Sequence, residues 1–153
     1  MKVIDLKDSA EFVEQYIDLR NYYAELLLSR PVTLEETRNW LKHENIEIRG
    51  LVDKEDFLGA IILYLDKDGE VGFFVRDQNQ GIGTELLRVI EEVAKNIGLS
   101  FLWAWVLETN TIAKHVFQKN GFILVSTQQR RFKDKDIDGS IYKKYLKYNF
   151  YEK

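Results

Sequence analysis

Apolar residues fall along this chain with two periods, and the two alternate. Short dense runs, Ile46 to Val52, Phe57 to Leu65 and Val71 to Val75, read as strands. The polar turns between them, Asp53 to Asp56 and Asp66 to Gly69, are short enough for an antiparallel meander. Val3 and Ile4 open the chain as a further strand. Phe12, Val13, Tyr16, Ile17 and Arg20 then recur at helical spacing, with Asp8 or Ser9 as the cap. Asn21 to Leu28 reads as a second helical piece. Pro31 interrupts, and Thr33 followed by Glu36 is a capping box for a helix through Trp40 to His43.

The pattern changes period at residues 70–84. The run Val71 to Val75 enters a polar turn, Arg76 to Gln80, and Leu86, Leu87, Ile90 and Val93/Ala94 then mark a helix from Thr84 to Ile97, closed by Gly98. Ser100 to Leu107 is apolar on both faces, as a central strand is. Strand, helix, strand in this order implies a parallel pair joined by a right-handed crossover. Asn110 to Lys119 is a last helix, ended by Asn120 and Gly121. Phe122 to Thr127 and Ser140 to Tyr148 are the last strands, parted by the charged segment Arg130 to Asp138. The sum is one mixed α/β domain over 1–153, with a sheet of six or seven mostly antiparallel strands.

Composition narrows the chemistry. With 45% hydrophobic and 13% aromatic residues among 153, the chain has enough apolar mass for one sizeable core. It has no cysteine, so disulfides, a thiolate nucleophile and cysteine metal sites are excluded. Its two histidines, His43 and His115, are too far apart in sequence to suggest a zinc site, and no metal is expected. A net charge of −3 argues against nucleic-acid binding. Neither a leader nor a membrane-length apolar run stands out, so the expectation is a cytoplasmic protein without a membrane partner.

The turn after Val75 carries Gly81 and Gly83 at a strand-to-helix junction. Glycines there let backbone approach a ligand, and the unpaired N–H groups of the first helical turn favour phosphate. Leu86 stands where a dinucleotide fingerprint needs its third glycine. No Gly-Lys-Ser/Thr follows either, which leaves plain nucleotide binding remote. Two spaced blocks do match a pattern. Gln78-x-x-Gly81-x-Gly83 is followed, one helix and one strand later, by Asn110-x-x-Ala113-x-x-x-Phe117-x-x-x-Gly121-Phe122. Together they resemble the GNAT superfamily of acyl-CoA-dependent N-acyltransferases over residues 70–127.

That resemblance implies a splayed parallel strand pair with acetyl-CoA as co-substrate. Backbone groups of Phe74 and Val75 would pair with the pantetheine arm. Amides from Gln80 through Gly81, Ile82 and Gly83 to Thr84 would hold the pyrophosphate, with the Gln78 side chain at its edge. Asn110 would contact the cofactor or cap its helix, and Phe117 would lie beside the cofactor. Relatives often carry a tyrosine at the position of Phe117 to protonate the departing thiolate. Three readings follow: the thiolate leaves unaided, Tyr142 or Tyr64 replaces the acid, or the domain binds acyl-CoA without turnover. Glu70 is the candidate base, with His115 and Glu108 as outside candidates, and a backbone N–H near Val75 would meet the thioester oxygen. Short pieces, Leu19-Arg20-Asn21 and Glu36-x-x-x-Trp40, look like those of members that acetylate amino-sugars or protein amino termini. They favour a small-molecule amine, such as an amino-sugar nucleotide, over a protein amino terminus or lysine. The protein is expected as a monomer or homodimer.

Overall fold

The computed structural model of the protein describes residues 1–78 and 80–148. Asn79 of the polar turn and residues 149–153 at the end of the expected domain lie outside the described residues.

A seven-stranded sheet forms the middle layer. Its strands are β1 (Lys2–Asp5), β2 (Ile46–Asp53), β3 (Asp56–Tyr64), β4 (Glu70–Val75), β5 (Phe101–Leu107), β6 (Ile123–Thr127) and β9 (Gly139–Tyr145). They lie side by side in the order β1-β2-β3-β4-β5-β9-β6. All pairs are antiparallel except β4 with β5. A two-stranded hairpin, β7 (Arg130–Phe132) and β8 (Lys135–Ile137), stands apart from the sheet. Its turn residues, Lys133 and Asp134, both take the left-handed conformation that tight hairpins require.

Helices α1 (Val13–Tyr22) and α2 (Leu34–Trp40) cover one face; α3 (Ile82–Ile97) and α4 (Thr111–Lys119) cover the other. The alternation of the strands sorts the core accordingly. Leu86, Ile90, Leu102, Val106 and Phe117 pack on the α3/α4 face, and Tyr16, Ile17, Ile48, Phe57 and Phe74 on the α1/α2 face. Leu86 and Ile90 are fully buried, each contributing about 1.5–3 kcal/mol of apolar burial. The helix they belong to stops where Gly98, at φ 93°, turns left-handed and returns its N–H to Ala94 at 3.1 Å. No helix among the described residues is long and apolar enough to cross a membrane.

Three local expectations are corrected. Residues 23–28 make no second helix: α1 ends at Tyr22, Leu28 has φ 49°, and three-residue turn bonds such as Leu28 N–H to Glu25 O (3.1 Å) replace the helical ladder. Neither Asp8 nor Ser9 caps α1, whose N-cap is Phe12 without a side-chain bond; Asp5 instead caps the short turn Leu6–Asp8 by accepting from Lys7 N–H at 3.0 Å, and Ser9 spends its hydroxyl on Asp5 O. The charged segment 130–138 is the β7–β8 hairpin, a strand pair too short for a period to announce it.

Candidate active site

The site begins with a break in the sheet. β4 is paired along its whole length with β3, from Tyr64↔Glu70 to Gly59↔Val75. With β5 it shares one register pair, Glu70↔Trp103, next to the bond from Trp103 N–H to Gly69 O at 3.2 Å. Beyond that point the two strands part. In a strand the backbone groups of successive residues point to opposite sides. Arg76 gives its N–H to Leu58 O on β3 at 2.8 Å, and Gly69 O faces β5. Odd-numbered residues of β4 therefore direct their N–H and C=O into the gap. Phe73 and Val75 line it with backbone. Phe74 does not, because its backbone is spent on β3; the pair of backbone contributors expected from sequence shifts by one residue.

A cavity of about 410 Å³ runs from Phe73 and Val75 to the glycine turn and the start of α4, with Tyr23, Leu26 and Leu27 of the loop after α1 completing its wall. Gly81 caps α3 at φ 74°, a conformation that suits glycine. The first helical bond is Glu85 N–H to Gly81 O at 3.1 Å, so the amides of Ile82, Gly83 and Thr84 precede the helical ladder. A side chain at Gly83 would bring its first carbon within 3.0 Å of the Phe73 ring and 3.3 Å of Val116. Only glycine lets strand, turn and α4 approach this closely. An anion-binding helix start beside an unpaired strand edge fits a pyrophosphate linked to an amide-bearing arm.

The other candidates near this cavity fall around that cradle. Gln78 and Thr84 line the cavity, and Gln80 borders a neighbouring hollow. Asn110 lines it too and caps α4, its Oδ1 accepting from Ala113 N–H at 3.2 Å. Phe117 lies beneath, buried among Phe73, Phe122 and Tyr142 with ring centroids 5.0–6.4 Å away. Tyr142 is buried and lines neither this cavity nor the next. His115, an outside candidate for the base, lines the cavity with Val116 and Lys119.

A second cavity, of about 580 Å³, opens on the α1/α2 face. Leu26, Leu27 and Phe74 border both cavities, so the two adjoin between the loop after α1 and the end of β4. Glu70, Gly72 and Phe74 of β4 form its floor, α1 and α2 contribute Tyr16 and Trp40, and Arg130 enters from the hairpin. Glu70 is 6% exposed and receives two hydrogen bonds from Arg130 Nη2, at 3.1 and 3.2 Å. The Arg130 guanidinium sits 4.9 Å over the Trp105 ring and 5.9 Å from that of Trp103. Tyr64 borders the same cavity, and burial, reinforced by the Glu70 charge, pushes its hydroxyl up to about 12. Burial likewise raises Tyr16. Glu108 lies outside both cavities, held below the usual carboxylate range by Lys114 (2.7 Å) and then Ser140 (2.9 Å).

Arg130, Trp103 and Trp105 are the residues that sequence reading missed. A signal existed: two tryptophans at i and i+2 share one face of an apolar strand, and their indole N–H groups need partners. Those partners are Lys67 O at 2.9 Å and Gln128 O at 2.7 Å.

The sequence matches the model of the Acetyltransferase (GNAT) family over residues 13–122, and the chain belongs to that family. It is thus an acetyltransferase with a seven-stranded, mostly antiparallel sheet and a central parallel pair. Its fold is similar to that of a ribosomal-protein-alanine N-acetyltransferase from Brucella melitensis, with a TM-score of 0.84 at 16% identity over 95% of this chain and 100% of that one. The Salmonella typhimurium protein yncA, solved with its cofactor acetyl-CoA, aligns with a TM-score of 0.83 at 13% identity over 97% and 95%. A GNAT-family acetyltransferase from Streptococcus pneumoniae aligns at 0.74 and 23% identity over 95% and 99%. No curated protein sequence matches the chain.

Proposed function

We propose that the protein moves the acetyl group of acetyl-CoA directly to a primary amine of a small molecule, within a ternary complex. Two adjoining cavities, sharing Leu26, Leu27 and Phe74 beside the gap between β4 and β5, carry this reading. The cofactor supplies the acetyl group as a thioester. Phe73 and Val75 would hold its arm by backbone bonds, and the amides of Ile82, Gly83 and Thr84 its pyrophosphate. Gln78, Gln80 and Gly81 shape that turn, and Asn110 borders it. The Val75 N–H directed into the gap is the donor for the thioester oxygen as it gains charge. Glu70 is the carboxylate that meets the acceptor ammonium and takes its proton, directly or through water. The thiol, with an ordinary pKa near about 8.5, leaves without a side-chain acid, since Phe117 offers no proton and Tyr142 lines neither cavity.

A small acceptor suits the enclosure of the second cavity. The loop 23–33 walls one side and the hairpin the other, and Lys133 Nζ bridges to Glu25 at 2.6 Å.

The test is a thermal-shift series with acetyl-CoA, CoA, ATP and NAD, followed by thiol release over an amine panel. Stabilisation by both CoA species of about 2.7 kcal/mol at a hundred times Kd, absent with ATP and NAD, and thiol release with small amines are expected. Cofactor binding with no thiol release across the panel would leave a binding module, and release only with peptides would move the acceptor to proteins.

A further inference from the structure

The acceptor cavity is positive in a protein that is negative. Arg20, Lys67, Arg130 and Arg131 line it against Glu36 and Glu70, while the whole chain carries −3. Three of the four cations have other engagements. Arg20 donates to Ser29 Oγ and to Arg30 O, Arg131 pairs with Asp136 at 3.1 Å, and Lys67 lies over Tyr64. Arg130 differs. A guanidinium has five N–H donors in a planar fork, and Arg130 directs one nitrogen, Nη2, to both oxygens of buried Glu70. Its Nε–H and both Nη1–H groups make no hydrogen bond among the described residues. The group is nonetheless fixed, by the ion pair at one edge and by Trp105 and Trp103 on its face. The result is a stacked, pre-oriented cation with three of its five donors unspent, on the wall of the cavity whose floor is Glu70.

We propose that the acceptor amine carries an oxyanion, carboxylate or phosphate, which the unspent N–H groups of Arg130 bind while its ammonium faces Glu70. This rests on the amine-acceptor reading above and names its substrate class. Charge-assisted hydrogen bonds from a guanidinium suit both oxyanions. The pairing also gives Glu70 a second duty, because the carboxylate that meets the ammonium holds Arg130 in place. A dipolar acceptor thus completes a four-charge arrangement in which each charge faces its opposite, and an uncharged-tail amine leaves those N–H groups unmatched.

The test uses matched pairs, leucine against isoamylamine and phosphoethanolamine against ethanolamine, with two readouts. Tryptophan emission reads acceptor binding without turnover, since the fork lies on Trp103 and Trp105. Thiol release reads kcat/KM. In the native protein the anionic member of at least one pair is favoured roughly 10- to 100-fold, the range of a charge-assisted hydrogen bond; which pair responds separates carboxylate from phosphate. In Arg130→Gln that ratio collapses toward one, while the acetyl-CoA thermal shift persists and vouches for the fold. Arg130→Lys, which keeps charge without the fork, recovers part of it. Equal binding of charged and uncharged members by the native protein, or a preference that survives Arg130→Gln, overturns the proposal. A preference seen in emission but without thiol release upholds it and removes the transfer reading instead. Acetylation of both members at equal rates upholds transfer and removes this inference.

Discussion

The two cavities are built from different materials. The cofactor side is made of backbone: a strand edge, a left-handed glycine and a helix start, all within residues 73–84. The acceptor side is made of side chains that meet from far apart, with Glu70 and Arg130 sixty residues distant. Backbone recognition tolerates much side-chain variation but little change in path. Side-chain recognition rests on individual groups and is easily retuned. A single fold therefore holds one co-substrate constant and leaves the other open to change.

This contrast predicts unequal damage. The largest effect should follow a change of path on the cofactor side. Gly83→Val drives its side chain into Phe73 and Val116, costing roughly 1–3 kcal/mol of stability and weakening acetyl-CoA by about tenfold or more, near 1.4 kcal/mol. Denaturant unfolding and a cofactor titration check both. Retention of native acetyl-CoA affinity would break the comparison. On the other side, Gly72 has open space where a side chain would go. Gly72→Val should leave Tm nearly unchanged, since strands favour valine, and raise acceptor KM roughly tenfold without altering the KM for acetyl-CoA.

A smaller effect belongs to Tyr64. Its hydroxyl titrates at about 12 in the folded protein and near 10 when unfolded. The folded state holds this proton more tightly, so stability is intact below pH 10 and falls as pH rises toward 12. Tyr64→Phe should flatten that part of a Tm-against-pH curve; an unchanged slope would assign the alkaline loss elsewhere, buried Tyr16 being next. The smallest effect is that of the bridge over the acceptor cavity. Lys133 and Glu25 are 64% and 74% exposed, so Lys133→Ala should cost less than about 1 kcal/mol, with the change visible in acceptor KM before it is visible in Tm.

Much of this was legible in the chain because periodicity is local. The meander, the crossover helix and its Gly98 stop, the Thr33–Glu36 capping box and the glycine cradle each depend on residues close in sequence. What needed coordinates depends on register or on distant contacts. Whether Phe73 or Phe74 turns its backbone into the gap is decided by pairing with β3, where a shift of one residue exchanges the two. Residues 23–28 have helical composition, yet tertiary packing next to Pro31 leaves them as turns. Arg130 opens a charged segment, and nothing near it in sequence shows that Glu70 and two tryptophans converge on it.

The gap between β4 and β5 has a mechanical meaning as well. One register pair and one crossover helix join a half-sheet of β1 to β4 to a half-sheet of β5, β9 and β6. The sheet resembles two plates that share one core and part along a seam running through the candidate site. A ligand arm lying in that seam supplies the rungs the fold omits and acts as a splint, making the loaded protein the stiffer body. On the proposed reading the acetyl donor would be a temporary eighth strand, inserted and withdrawn at each turnover.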